Sequence, residues 1–185
     1  MKSPKSKAIR SAITWAVIFG GIFMVGFLLF QIVRYSNLKA ELELNEKKIQ
    51  TLPHIQLATA DSTTLYDLNE LSNNEPLVLI YFHPECEYCS AEINELLREP
   101  QKLAGIKNIF VTFAPREKVA EFLITHPIEQ IENSIILFDD KYVFAGEYGI
   151  QSPPQTLVYD SNKQLIKHFR RVITIEALEQ VLPDL

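Results

Sequence analysis

The chain has 185 residues, 47% of them hydrophobic, and a formal net charge of −5. That length fits one domain plus an appendage. An acidic balance with no basic cluster beyond the first ten residues excludes nucleic-acid binding through phosphate neutralisation, and two cysteines are too few for a disulfide framework.

The hydrophobic residues are unevenly spread. Residues 12–33, AITWAVIFGGIFMVGFLLFQIV, carry no charge and only Thr14 and Gln31 as clearly polar groups. As a helix they span roughly 33 Å, enough for a bilayer core of about 30 Å. Residues 1–34 contain Lys2, Lys5, Lys7, Arg10 and Arg34 with no acid, so this segment is +5 and the remainder −10. The basic flank predicts a cytoplasmic tail at 1–11, a transmembrane signal-anchor helix at 12–34, and everything later on the far side of the membrane. A cleaved signal peptide would need an apolar region of about 7–15 residues followed by a small-residue cleavage site. This run is longer and no A-x-A stands directly behind it, so an uncleaved anchor is expected.

Residues 36–50, SNLKAELELNEKKIQ, are helix-forming and charged, with Leu38, Leu42 and Ile49 near helical spacing. They predict a solvated helical stalk over 35–51, too short for a coiled-coil claim. Pro53 closes it, and a globular domain is expected over 52–185. Within that domain, 54–58 and 63–66 suit short strands around a polar turn at Asp61–Ser62. Residues 77–82, LVLIYF, form a continuous apolar run, as in a central strand buried on both faces. A helix follows over about 87–99, with Ala91, Ile93, Leu96 and Leu97 on its apolar side and Pro100 at its end. Next come a strand at 108–113, a helix at 116–124 closed by His126–Pro127, and a short apolar stretch at 134–138. Residues 155–160 and 164–169 predict a hairpin turning at Ser161–Asn162–Lys163. A last helix over about 174–182 has Thr174 as N-cap. Alternation of strands and helices predicts an α/β domain with a parallel sheet, to which the hairpin adds an antiparallel part.

The chemistry is concentrated at Cys86–Glu87–Tyr88–Cys89, between the buried strand and its helix. A helix N-terminus offers unpaired N–H groups and the positive end of the dipole. Cys86 at that end is expected to favour its thiolate, while Cys89 lies one turn on, within reach for a disulfide. This pairing serves exchange: Cys86 attacks a substrate disulfide and Cys89 resolves the mixed disulfide. Glu85 and Glu87 bracket Cys86, and like charge opposes a thiolate, which tilts the expected poise towards reduction. Other readings of the pair are a structural disulfide closing a very short loop and half of a metal site with His83. A copper-handling variant would fold His126 or His168 back to the thiols. A peroxidase pattern would need Ser or Thr at 88 and Cys at 91, where the chain has Tyr88 and Ala91. His54 and His168 fall on expected strands and read as surface or edge residues.

The second landmark is Ser152–Pro153–Pro154–Gln155–Thr156, ahead of an apolar strand. A locked cis peptide that opens backbone groups to a substrate peptide and a plain polyproline turn both fit the local sequence.

Together, the C-x-x-C after LVLIYF, the run from Pro154 to Asp160 and the lead-in LPHIQLATADSTTLYDLNEL resemble the TlpA/ResA-type membrane-anchored thioredoxins over residues 52–182. The resemblance implies a thioredoxin fold, a mixed central sheet flanked by helices. It implies Cys86 as exposed nucleophile, Cys89 as resolving thiol and Pro154 as a cis-proline facing them, with Pro153 beside it in the substrate site. It further implies a redox-active Cys86–Cys89 disulfide with no other cofactor and no metal, and a bacterial inner-membrane location with the domain in the periplasm or outside. Family members commonly reduce disulfides of exported proteins, apocytochromes c among them, and are recharged by a transmembrane thiol electron donor. Two departures stand out. Phe82–His83–Pro84–Glu85 replaces the usual W-C-x-x-C entry. Ala114–Pro115–Arg116–Glu117 follows the 108–113 strand, where many relatives carry an acid near the redox pair; Glu117 is close to that place but not clearly aligned with it, and is assigned no role. The expected activity is thiol–disulfide exchange on exported proteins; a copper-handling thiol module and a non-catalytic interaction domain are the alternatives.

Overall fold

A computed structural model describes residues 4–71 and 75–182. The first three residues of the expected basic tail, Lys2 included, and the last three of the expected domain lie outside the described residues. The chain divides into two compact units, Met1–Leu44 and Asn45–Leu185.

The first unit is helical. Helix α1 (Pro4–Lys48) runs without a break through the expected junction of membrane helix and stalk. Among the described residues, Ile18–Ala40 is long and apolar enough to cross a membrane, and none of it is buried. Its large side chains are exposed on every side, as with Ile22, Phe23, Met24 and Val25 at successive positions. A helix apolar all round needs a non-aqueous partner.

The second unit begins ahead of the expected boundary at 52. Helix α1 stops at Lys48, before Pro53, because the chain then turns into the core. Ile49 and Leu52 are buried. Tyr159 Oη donates to the Ile49 carbonyl at 2.8 Å. Leu165 N–H donates to the Gln50 carbonyl at 2.7 Å and Leu52 N–H to the Lys163 carbonyl at 3.0 Å, around an antiparallel bridge between Thr51 and Gln164.

The strands are β1 (Gln56–Ala58), β2 (Leu65–Asp67), β3 (Leu77–Phe82), β4 (Lys107–Thr112), β5 (Ser134–Phe138), β6 (Gln155–Tyr159) and β7 (Leu165–Phe169). They form one mixed sheet in the order β2-β1-β5-β4-β3-β6-β7. The pairs β3–β4 and β4–β5 are parallel; β6 is antiparallel to β3 and to β7, and β1 to β2 and β5. The helices are α2 (Leu68–Leu71), α3 (Glu87–Arg98), α4 (Arg116–Thr125), α5 (Val143–Tyr148) and α6 (Ile175–Glu179), with 3-10 turns at Pro100–Leu103 and Ile128–Gln130.

Strand β3 is apolar throughout because the sheet is covered on both faces. Val78, Ile80 and Phe82 pack with Ile93 and Leu96 of α3, Val119 and Phe122 of α4, and Leu178 of α6. The alternate residues Leu77, Leu79 and Tyr81 pack with Phe144 and Tyr148 of α5 and with Ile49 and Leu52. This covering seats β3 at the centre and fixes where its C-terminal end delivers the chain.

Several local expectations change. Strand β1 starts at Gln56, so His54 precedes it and lies exposed, 3.3 Å from an Asp67 oxygen. Ala91 is exposed, and Glu92 takes the buried position on α3 instead. Helix α5 falls in what reads as a connection, because its organiser is tertiary. The buried Asp139 carboxylate accepts the N–H groups of Phe144 and Ala145 at 3.0 and 2.9 Å, satisfying first-turn donors.

Candidate redox site

Strand β3 ends at Phe82, and Pro84 keeps the chain out of helix until Cys86. Cys86 is the N-cap of α3, with extended backbone at φ −96° and ψ 112°. Its sulfur accepts the Cys89 N–H at 3.3 Å, so it occupies the place a capping oxygen usually fills and meets an orphan donor of the first turn. Glu87 in the first turn and Arg98 in the last complement the dipole.

Across from this cap runs the loop before β6. The Pro153–Pro154 peptide bond is cis, and the Cys86 sulfur lies 3.9 Å from the Pro153 carbonyl oxygen. Both cysteines are free; Cys86 is partly accessible and Cys89 fully buried. Burial, the hydrogen bond to Cys86 and the nearby charge of Glu92 push the Cys89 thiol far above its ordinary range. An accessible sulfur in front and a buried, protonated one behind is the asymmetry that attack followed by resolution requires.

The acids beside Cys86 are exposed, and Glu85 lies 3.7 Å from Lys118 Nζ, which shares its charge with a cation. The acid that reaches the interior is Glu92, one turn beyond Cys89. Its Oε1 accepts the Thr156 hydroxyl at 2.5 Å, while Oε2 has no hydrogen-bond partner among the described residues. Burial raises this carboxyl to about 7, against the opposing pull of the Thr156 hydroxyl and the Ile173 backbone N–H. Glu92 escapes a reading that follows only apolar residues along the helix. Its signal is spacing: 89, 92, 93 and 96 form one stripe at helical period, with an acid inside it. Glu117 is exposed in the first turn of α4.

The loop has its own support. Gln155 Nε2 donates to the Ser152 carbonyl at 3.1 Å, and His168 Nε2 pairs with Gln155 Oε1 at 2.8 Å. His126 stacks on Phe122 with ring centroids 3.9 Å apart, and His83 Nδ1 accepts the Glu85 N–H at 3.2 Å. The histidines that a copper site would recruit thus each hold another partner. Among the described residues, no group of three or more His, Cys, Asp or Glu side chains is placed to hold a metal ion.

A mixed sheet with a C-x-x-C capping the helix after its central strand, and a cis-proline loop against the first cysteine, defines a thioredoxin fold with a dithiol site. The sequence agrees: residues 69–185 match the thioredoxin-like domain family, and the chain belongs to it. Solved structures share the fold at low identity. A secreted Mycobacterium tuberculosis disulfide oxidoreductase homologous to E. coli DsbE is 17% identical, with a TM-score of 0.60 over 75% of this chain and 98% of its own. StoA of Bacillus subtilis is 14% identical, with a TM-score of 0.56 over 72% and 98%. The exposed lipoprotein thioredoxin Etrx1 of Streptococcus pneumoniae is 18% identical, with a TM-score of 0.55 over 72% and 100%. No curated protein sequence matches the chain.

Proposed function

We propose that the chain is a membrane-anchored thiol–disulfide oxidoreductase of the TlpA/ResA type that reduces disulfides of exported proteins. The observation that carries this reading is the Cys86 sulfur, which caps α3, remains accessible and lies 3.9 Å from the Pro153 carbonyl. The Cys86 thiolate attacks one sulfur of a substrate disulfide. That S–S bond breaks, a mixed disulfide forms, and the departing substrate sulfur takes a proton. Cys89 then gives up its proton and attacks the Cys86 sulfur, releasing the second substrate thiol. The substrate gains two electrons and two protons, and the protein is left with a Cys86–Cys89 disulfide.

Cys89 resists losing its proton. Glu92, one turn away with a carboxyl near neutrality and an unbonded oxygen, is the group suited to receive it. Recharging then needs a thiol donor reaching across the membrane. The apolar helix Ile18–Ala40, with basic residues before it and none of its window buried, supports a single-pass anchor in a bacterial inner membrane. The N-terminus is inside and the domain in the periplasm or outside.

Turnover of an insulin-type disulfide substrate by the full chain in detergent, with a small dithiol as donor, tests the activity. Wild type is expected to turn over and Cys86→Ser to fall to background; equal rates in the two would refute it.

A further inference from the structure

We infer that an aromatic shelf of His83, Phe113 and Tyr142 beside the redox turn receives an aromatic side chain flanking the substrate's disulfide, with Tyr142 setting that preference; the inference rests on the oxidoreductase reading above. The register of the sheet builds this shelf. Phe82 of β3, Thr112 of β4 and Phe138 of β5 are partners across the parallel strands. His83 and Phe113 are the next residues of the first two, and the third leads through Asp139 to Tyr142. The rings meet in that order, with centroids 4.8 Å apart from His83 to Phe113 and 5.4 Å from Phe113 to Tyr142.

His83 joins the shelf to the reacting sulfur. Its carbonyl accepts the Cys86 N–H at 3.0 Å, and its Nδ1 accepts the Glu85 N–H at 3.2 Å. A substrate chain whose disulfide meets Cys86 therefore passes close to these rings. The shelf is also fastened from behind. Phe113 stacks on the buried Tyr81 ring at 5.7 Å, and Tyr81 stacks on the buried Phe144 ring at 5.6 Å. Rings held this way lose little freedom when a partner arrives.

Tyr142 is the member that its own packing does not account for. Its φ of 56° is left-handed, a conformation that suits glycine and is uncommon for a bulky side chain. Among the described residues, the other non-glycine residues with positive φ are Ser62, Asn133 and Lys163, all polar residues of connecting turns. The surrounding bonds enforce the conformation. Tyr142 N–H donates to the Asp139 carbonyl and Gly146 N–H to the Tyr142 carbonyl, both at 3.0 Å, while the Asp139 carboxylate takes the N–H groups that follow. Yet 58% of the tyrosine is exposed. A strained backbone that presents a ring to solvent beside a reacting centre has the character of a ligand contact. Val143, next in the chain and also exposed, continues the apolar edge. Rings offered in this way fit an incoming ring stacked with an offset or edge-on, and one such pair corresponds to roughly a 2- to 12-fold gain.

The test uses the reduced full chain in detergent, freed of reductant, and two synthetic peptides, each with one internal disulfide, identical except for phenylalanines or serines flanking the cysteines. In a single turnover without a thiol donor, wild type is expected to reduce the phenylalanine peptide with a second-order rate constant roughly 2- to 12-fold higher. Tyr142→Gly should bring that ratio towards one, and Tyr142→Phe should keep it. Glycine adopts the left-handed conformation freely, and a folding defect would slow both peptides alike without moving the ratio. A ratio of one in wild type, or a ratio unchanged by Tyr142→Gly, overturns the inference. Binding of the same peptides, with their cysteines reduced and alkylated, to Cys86→Ser protein by fluorescence anisotropy separates the two levels. Phenylalanine preference in binding that Tyr142→Gly removes, with no reduction of either peptide, would sink the oxidoreductase reading and uphold the shelf. Reduction of both peptides without preference would do the reverse.

Discussion

Glu92→Gln should make the protein's stability less sensitive to pH, with an effect that can be worked from the site. The Glu92 carboxyl is raised from 4.5 to about 7 by burial. Between these values the unfolded chain has ionised this group while the folded protein still holds the proton. The unfolded state therefore binds fewer protons, and stability falls as pH rises. The contribution is fully present below 4.5 and is lost as pH climbs through about 7. At about 1.4 kcal/mol per unit the loss is about 3 kcal/mol, complete above pH 7. Glutamine retains an oxygen for the Thr156 hydroxyl and cannot ionise. Any penalty from its buried amide is independent of pH. Urea unfolding of the reduced full chain in detergent, followed by near-UV circular dichroism of the tyrosines from pH 4 to 9, should show the variant gaining about 3 kcal/mol on wild type across this window. Parallel curves for the two proteins would show that Glu92 ionises as in water and would remove it as the proton acceptor for Cys89.

Other outcomes follow from single contacts. Thr156→Val removes a bond that holds the Glu92 carboxyl down, so the fall in stability should extend to higher pH in the same unfolding series. Cys89→Ser should trap Cys86 in a mixed disulfide with substrate, visible as a larger band on a non-reducing gel and lost on reduction. Asp139→Ala leaves the N–H groups of Phe144 and Ala145 without their acceptor. It should cost about 1–3 kcal/mol, with faster hydrogen exchange confined at first to α5. The anchored reading predicts that the chain stays with membranes through an alkaline carbonate wash and leaves them only with detergent; release by carbonate alone would refute it.

The parts legible in the sequence are those whose cause is local. The run 77–82 announces a strand buried on both faces, and the pair at 86 and 89 sits at the start of the next helix. The polar hairpin turn at 161–163 lies between two strand-forming stretches. The parts that were not legible have distant causes. Helix α5 is held by Asp139, a carboxylate whose burial depends on the sheet around it. Glu92 looks like one more surface acid on a charged helix until its neighbours at 89, 93 and 96 are seen to share one face. The stretch 49–52 reads as the tail of a polar stalk, because the partners that bury it, Tyr159 and the residues around Gln164, lie over a hundred positions away. Glu117, the acid that follows the 108–113 stretch, is exposed.

The seam between residues 49–52 and the edge of β7 has a practical consequence for separating the domain from its helix. Ile49 fills the core, and its carbonyl is the acceptor for the buried Tyr159 hydroxyl. Gln50 and Leu52 supply the backbone partners of Leu165 and Lys163. A protease that cuts after residue 52 would strip away these groups and leave a hole beneath the sheet along with an uncovered strand edge, the kind of surface on which chains aggregate. Cleavage before Asn45 would leave the compact unit whole. A soluble, shed or recombinant form of this protein that keeps its fold therefore carries the last turn of the helix with it.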